Sequence, residues 1–256
     1  MYRYQVWLNR PRKIYPHFEG LREKVFTIFE KVKRENREHL MESEVHEVLE
    51  AYGFMRPKGI WARTSAEAMA AAEEIGYPVV MKIVSPQILH KSDIGGVRIN
   101  LHSKNDVEEA FFDITARIRH IMPTAHVQGV LVQEMICGGR EVIIGITKDI
   151  QFGHMIMFGL GGIYVEVLKD VSFRIVPLSQ EDAHQMIREI HAFPLLQGVR
   201  GEAESDIKAI EKSLLILSQL ALDFPQIIEA DINPLLARGQ GEGVVAVDAR
   251  FTIGGE

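Results

Sequence analysis

Hydrophobic spacing in this chain switches repeatedly between the helical and the strand period, which confines it to a mixed α and β architecture of short elements. Met41, Val45, Val48, Leu49 and Tyr52 share one helical face closed by Gly53. Thr64-Ser65-Ala66-Glu67 reads as a capping box opening an alanine-rich helix to Ile75, with Gly76 as its C-terminal cap and Pro78 beyond. Those stop signals leave Val79 to Val84 to a strand. Ser103 caps another helix, striped by Val107, Ala110, Ile114 and Ile118. GVLVQEMI, REVIIGIT, HMIMFG and VSFRIV then read as strands. Two helices follow, one capped by Ser179 and one striped by Ile207, Ile210, Leu214, Leu217 and Ala221, and two short strands, IIEADI and VVAVDA, come last.

At 256 residues the chain can bury a sizeable core, as one large domain or two small ones. Twenty-nine basic against 35 acidic residues give a net charge of −6, which argues against a nucleic-acid partner. The lone cysteine, Cys137, rules out an intrachain disulfide framework and suggests a reducing compartment. No stretch is apolar for eighteen residues and the start lacks a signal-peptide core, so no membrane association and a cytoplasmic location are expected. Residues 1–38 read as an N-terminal extension, probed by the charged segment LREKVFTIFEKVKRENREH with its thin apolar face of Val25, Phe29 and Val32. Such a helix is solvated or packs on the main domain, with a partner contact as the alternative.

Several residues interrupt this pattern in ways that chemistry could use. Lys82 stands inside VVMKIV, where its head either snorkels to water or meets a ligand phosphate. Gly161 and Gly162 in FGLGGIYVEVLKD permit close backbone approach, yet their spacing is neither a Walker A loop nor a dinucleotide fingerprint. Alternation puts Glu229, Asp231 and Asn233 of EADINPLL on one face, and the next strand is expected to deliver Asp248. These oxygens suit magnesium, or else form an ordinary turn and a strand-end cap. Glu134 and Glu141 could hold nucleotide hydroxyl and amine groups or simply face solvent. His90, in QILHKSDIGGVRI, lacks neighbours at a metal-ligand spacing, and neutral imidazole is a competent nucleophile toward phosphorus.

GYPVVMKIVSPQILHKSDIGGVRINL, VQEMICGGREVIIGI, FGLGGIYVEVLKD, EADINPLL and VAVDAR, in this order, resemble the nucleotide-binding β part of ADP-forming acyl-CoA synthetases, related to the succinyl-CoA synthetase β subunit. The resemblance covers roughly residues 38 to 253. It implies an α+β ATP-grasp fold, two α+β subdomains clamping a nucleotide, with residues 39–136 as the N-terminal and 137–256 as the C-terminal subdomain carrying the metal site. It further implies ATP or ADP as substrate nucleotide and Mg2+ as cofactor. Lys82 would meet the nucleotide phosphates, Glu134 the adenine and Glu141 the ribose, with Gly161 and Gly162 lining the site. Asn233 and Asp248 would be the magnesium ligands. Asp231 stands where succinyl enzymes usually carry a glutamate facing the incoming phosphohistidine. The HKSD context favours the ADP-forming acetyl/acyl branch, with His90 relaying phosphate and Gly95-Gly96 as its hinge. A CoA-binding α subunit carrying the phosphohistidine is implied as partner, in an α2β2-type hetero-oligomer. Another ATP-grasp carboxylate ligase and a non-catalytic nucleotide-sensing subunit are the alternatives.

Overall fold

The computed structural model describes residues 14–88, 91–199, 201 and 203–254. In chain order the elements are α1 (Arg22–Arg34), α2 (Glu42–Ala51), β1 (Gly59–Ala62), α3 (Ser65–Ile75), β2 (Val79–Val84), β3 (Val97–Leu101), α4 (Lys104–Ile121), β4 (Gly129–Glu134), β5 (Arg140–Asp149) and β6 (Gly153–Leu160). They continue with α5 (Ile163–Glu166), β7 (Val171–Ile175), α6 (Gln180–Glu189), α7 (Phe193–Leu196), α8 (Ile207–Asp223), β8 (Ile227–Ala237), β9 (Val244–Ala246) and β10 (Ala249–Ile253). Among the described residues no helix is long and apolar enough to cross a membrane.

The chain forms two compact units, Arg56–Gly138 and the residues on either side of it. The smaller unit is an antiparallel four-stranded sheet in the order β1-β4-β2-β3. Its helices start where the sequence predicts. Thr64 Oγ accepts the Glu67 N–H at 3.2 Å, and Ser103 Oγ accepts that of Asp106 at the same distance. Both caps satisfy donors that a helix start leaves bare. Ala68, Ala71 and Ala72 of α3 and Val107, Ala110, Ile114 and Ile118 of α4 pack on Val79, Met81, Ile83, Val130 and Val132. The sheet therefore has one helix-covered face, and the alternate residues of β2 and β4 point the other way.

The larger unit is built on a six-stranded antiparallel sheet in the order β10-β8-β5-β6-β7, with β9 also pairing β8. Helices α6 and α8 bury Ala183, Met186, Ile210, Leu214 and Leu217 with Ile144, Ile146, Ile156 and Phe158 of the sheet.

The compact units divide elsewhere than at the expected boundary of residue 38. Helices α1 and α2 belong to the larger unit, and the chain leaves it only after Met55. The cause is apolar burial: Val25, Phe29, Val32 and Val48 are fully buried, and the Phe29 ring meets Phe224 edge-on at 5.0 Å between centroids. The charged helix thus packs on the main body through its thin stripe. The chain also returns to the sheet edge, where the Leu40 N–H donates to Phe251 O at 3.1 Å and that of Ile253 to Glu38 O at 2.8 Å.

Candidate functional site

In the smaller unit, alternation sends Val79, Met81 and Ile83 of β2 into the core and Lys82 to the opposite face, beside Leu131 on β4 and Val97 on β3. Lys82 is buried there, at 5 % exposure, so its long stem is covered along with its head. Glu134, at the end of β4, pairs with Val79, which places it on the face opposite Lys82. Its N–H donates to Lys58 O at 2.8 Å, and its carboxylate accepts the Lys58 N–H at 3.3 Å. The two residues are therefore three rungs and one face apart.

A further polar residue lies on the Lys82 face and escapes the motif reading. Gln133 is 1 % exposed, and its side-chain nitrogen has no hydrogen-bond partner among the described residues. Its sequence signal is similar to that of Lys82, a polar residue that follows an apolar run within a strand, GVLVQE.

His90 lies outside the described residues. After it, a turn is closed by the Gly95 N–H to Ser92 O at 3.0 Å and the Gly96 N–H to Lys91 O at 2.7 Å. Gly95 has a φ of +70°, and a Cβ on Gly96 would stand 2.7 Å from Ile83 Cγ2. The glycine pair thus has a reason in packing and backbone conformation.

In the larger unit, Glu229, Asp231 and Asn233 point away from the buried Ala230 and Ile232, as the alternation predicts. Asp231 pairs with Arg250 on β10 and with Gly145 on β5, so one neighbour offers a guanidinium and the other no side chain. Asp248 departs from expectation, because it sits between β9 and β10 rather than on a strand. Pro234 has no N–H to give the ladder, so β8 pairs with β9 only from Leu235 and with β10 only up to Ile232. The gap is bridged by two other bonds, Asn233 N–H to Asp248 O at 3.0 Å and Val247 N–H to Pro234 O at 3.1 Å. The Ala249 N–H donates to Asp248 Oδ1 at 3.0 Å and orients that carboxylate. Backbone bonds therefore hold Asn233 and Asp248 side by side.

This pair is chemically suited to magnesium. It offers two hard oxygen donors, the number that Mg2+ takes from a protein when water and phosphate complete its octahedron. Among the described residues no group of three or more His, Cys, Asp or Glu gathers as a metal cluster, so a closed, soft-ligand site is not built there.

Glu141 and the glycine turn also come together. The Gly161 N–H donates to Glu141 O at 2.7 Å, and a Cβ on Gly161 would stand 2.9 Å from Glu141 Cβ. Gly162 has a φ of +63°. The chain beyond this turn is pinned by Asp170, whose carboxylate accepts the N–H groups of His191 at 2.8 Å and Ala192 at 2.7 Å, with the His191 ring at 3.1 Å. Burial pushes the Asp170 carboxyl up, but those donors outweigh it and hold it below the usual carboxylate range.

Each unit is built on an antiparallel sheet, and residues 31–253 match the family model of the ATP-grasp domain. The chain belongs to the ATP-grasp family. Within it, the chain is 50 % identical over 226 residues to the acetate–CoA ligase [ADP-forming] I subunit beta of Pyrococcus furiosus, covering 88 % of this chain and 96 % of that one. It is also 50 % identical over 236 residues to acetate–CoA ligase [ADP-forming] I of Archaeoglobus fulgidus, covering 92 % of this chain but 34 % of that protein, so it spans about a third of that relative's length. Among solved structures it matches the Ca. Korarchaeum cryptofilum dinucleotide forming acetyl-coenzyme A synthetase 1, in complex with coenzyme A, Ca-AMPCP and HgCl+. There the TM-score is 0.85 at 42 % identity, over 89 % of this chain and 99 % of that chain. The same synthetase is solved with coenzyme A and Mg-AMPPCP, its phosphohistidine segment pointing towards the nucleotide binding site, at a TM-score of 0.77 and 40 % identity over 90 % of this chain and all of that chain.

Proposed function

We propose that this chain is the nucleotide-binding β portion of an ADP-forming acyl-CoA synthetase, working in the reaction acyl-CoA + ADP + phosphate ⇌ carboxylate + CoA + ATP. The observation that carries the reading is the Asn233–Asp248 pair, held together by a backbone bond at 3.0 Å across a gap in the sheet. Identity of 50 % to a β subunit over nearly its whole length supports it. The partner is a CoA-binding α portion that takes the phosphoryl group from an acyl phosphate onto its own histidine, in an α2β2-type assembly in the cytoplasm.

Each residue then has a task. His90 accepts the phosphoryl group through a ring nitrogen as the phosphorus–nitrogen bond to the partner histidine breaks, and passes it to the β-phosphate oxygen of ADP. Lys82 holds the phosphates, Glu134 the base, and Glu141 the ribose, beside the backbone of Gly161 and Gly162. Asn233 and Asp248 hold Mg2+, which neutralises phosphate charge when bound. Asp231 meets the incoming phosphohistidine. Residues 56–138 act as the N-terminal ATP-grasp subdomain and the remainder as the metal-bearing one. Phosphoryl transfer asks mainly for positioning and charge neutralisation, which this set supplies.

The test is reconstitution with an α subunit, followed by ATP formation from acetyl-CoA, ADP and phosphate. His90→Asn should abolish ATP formation while the partner histidine is still phosphorylated from acetyl-CoA and phosphate. Unchanged ATP formation would remove the relay.

A further inference from the structure

Gln133 is a buried polar side chain on the Lys82 face of the smaller unit's sheet, with a strand on each side, and its amide nitrogen has no hydrogen-bond partner among the described residues. Its cross-strand neighbours are Val80 on β2 and Gly59 on β1. The first is apolar and the second has no side chain. Two other buried side chains show the usual satisfaction: Ser172 Oγ donates to Met186 O at 2.9 Å, and Ser218 Oγ accepts the Leu178 N–H at 2.9 Å. Arg238 Nε and Ser65 Oγ are also unpaired, but the Arg238 guanidinium is held through Nη2 by Glu242 O at 2.8 Å, and Ser65 opens the first turn of α3. An amide N–H donor kept from water without a partner is costly, and sites that bind ligands are where that cost is tolerated.

Position suggests what the amide is kept for. The registers Lys82 with Leu131 and Val80 with Gln133 make Lys82 and Gln133 diagonal neighbours on one face of adjacent strands. Such pairs lie about 7–8 Å apart, so a ligand of nucleotide size that meets one reaches the other. Along β4, Gln133 falls between the rung of Lys82 and the strand end at Glu134. We propose that Gln133 is a nucleotide-binding residue, its side-chain N–H donating to an acceptor atom of the same nucleoside diphosphate that Lys82 holds.

This inference rests on the nucleotide role of Lys82, and the experiment separates the two. Mg-ADP binding is measured by calorimetry on the full chain carrying Gln133→Met, which keeps the length of the side chain and deletes the amide, and again on Gln133→Leu. Both variants should bind Mg-ADP roughly tenfold more weakly, the factor that one lost hydrogen bond of this kind corresponds to. The melting temperature without nucleotide should hold or rise, since the unpaired donor is gone. Wild-type affinity in both, or a melting temperature lowered by several degrees in both, would mean that the amide serves the fold and overturn the inference. Lys82→Met is the reference. If it alone loses Mg-ADP, only the Gln133 assignment fails, and if it too binds normally, the nucleotide reading fails with it.

Discussion

The two sheets carry their polar residues in opposite ways. In the smaller unit Lys82 and Gln133 sit within unbroken strands and are buried there, at 5 % and 1 % exposure. In the larger unit Asn233 and Asp248 sit where pairing stops at Pro234 and backbone bonds take over. If these two residues meet the nucleotide as proposed, their removal should hurt binding more than folding. The Asn233–Asp248 pair at the break in the ladder is set by backbone bonds, so its side chains can be changed with little effect on the sheet.

That contrast can be broken by experiment. The largest effect is expected from Lys82→Met, which should weaken Mg-ADP at least about a hundredfold, a loss on the order of 3 kcal/mol for a charge-assisted contact, in a chain that still folds. A protein that instead unfolds would put Lys82 among the structural residues. Next, Asp248→Asn should lower ATP formation by roughly 30-fold and raise the magnesium concentration needed for half-maximal activity, because a neutral amide is a poorer ligand for a hard cation. Circular dichroism melts should stay within a few degrees. A collapse of the fold there would erase the distinction between the two sheets.

Gly161→Ala tests the glycine turn beside Glu141. The added methyl must push against Glu141 Cβ at 2.9 Å and Glu141 O at 3.1 Å, which should cost about 1–3 kcal/mol in chemical denaturation. The smallest effect concerns Asp170. Its folded-state pKa lies below the ordinary value, so the unfolded chain binds more protons and the contribution to stability rises with pH. It is fully present above the ordinary carboxylate pKa and is lost as pH falls through the depressed one. Asp170→Asn should flatten melting temperature against pH in that acidic range and lower stability at neutral pH by about 1 kcal/mol. A wild-type slope would assign the acid sensitivity elsewhere.

The same contrast explains what the sequence makes legible. Lys82 and the Glu229, Asp231, Asn233 alternation could be read directly, since a period of two survives wherever a strand is continuous. The setting of Asp248 could not, because VVAVDA alternates without a flaw while its break is imposed by Pro234 on another strand. Strand β1 escaped for a related reason: GIWA is only four residues long, begins with glycine, and is strand only because β4 pairs with it. The unit boundary at Met55 depends on which sheet the apolar face of α2 finds, and an amphipathic stripe does not name its partner. Gln133 was visible as a polar interruption, but its missing partner is a three-dimensional fact.

The larger unit is assembled from both sides of the smaller one, and this orders events as the chain leaves the ribosome. Residues 56–138 hold all four strands of their own sheet and can fold once Gly138 has emerged. Helices α1 and α2, made before this unit, must wait for strands made after it, since Leu40 is bonded to Phe251 and β8 lies between β5 and β10. Until then the stripe of Val25, Phe29 and Val32 lacks much of the core cluster it is buried in, so nascent chains stalled before residue 227 should be the species that chaperones hold and proteases cut.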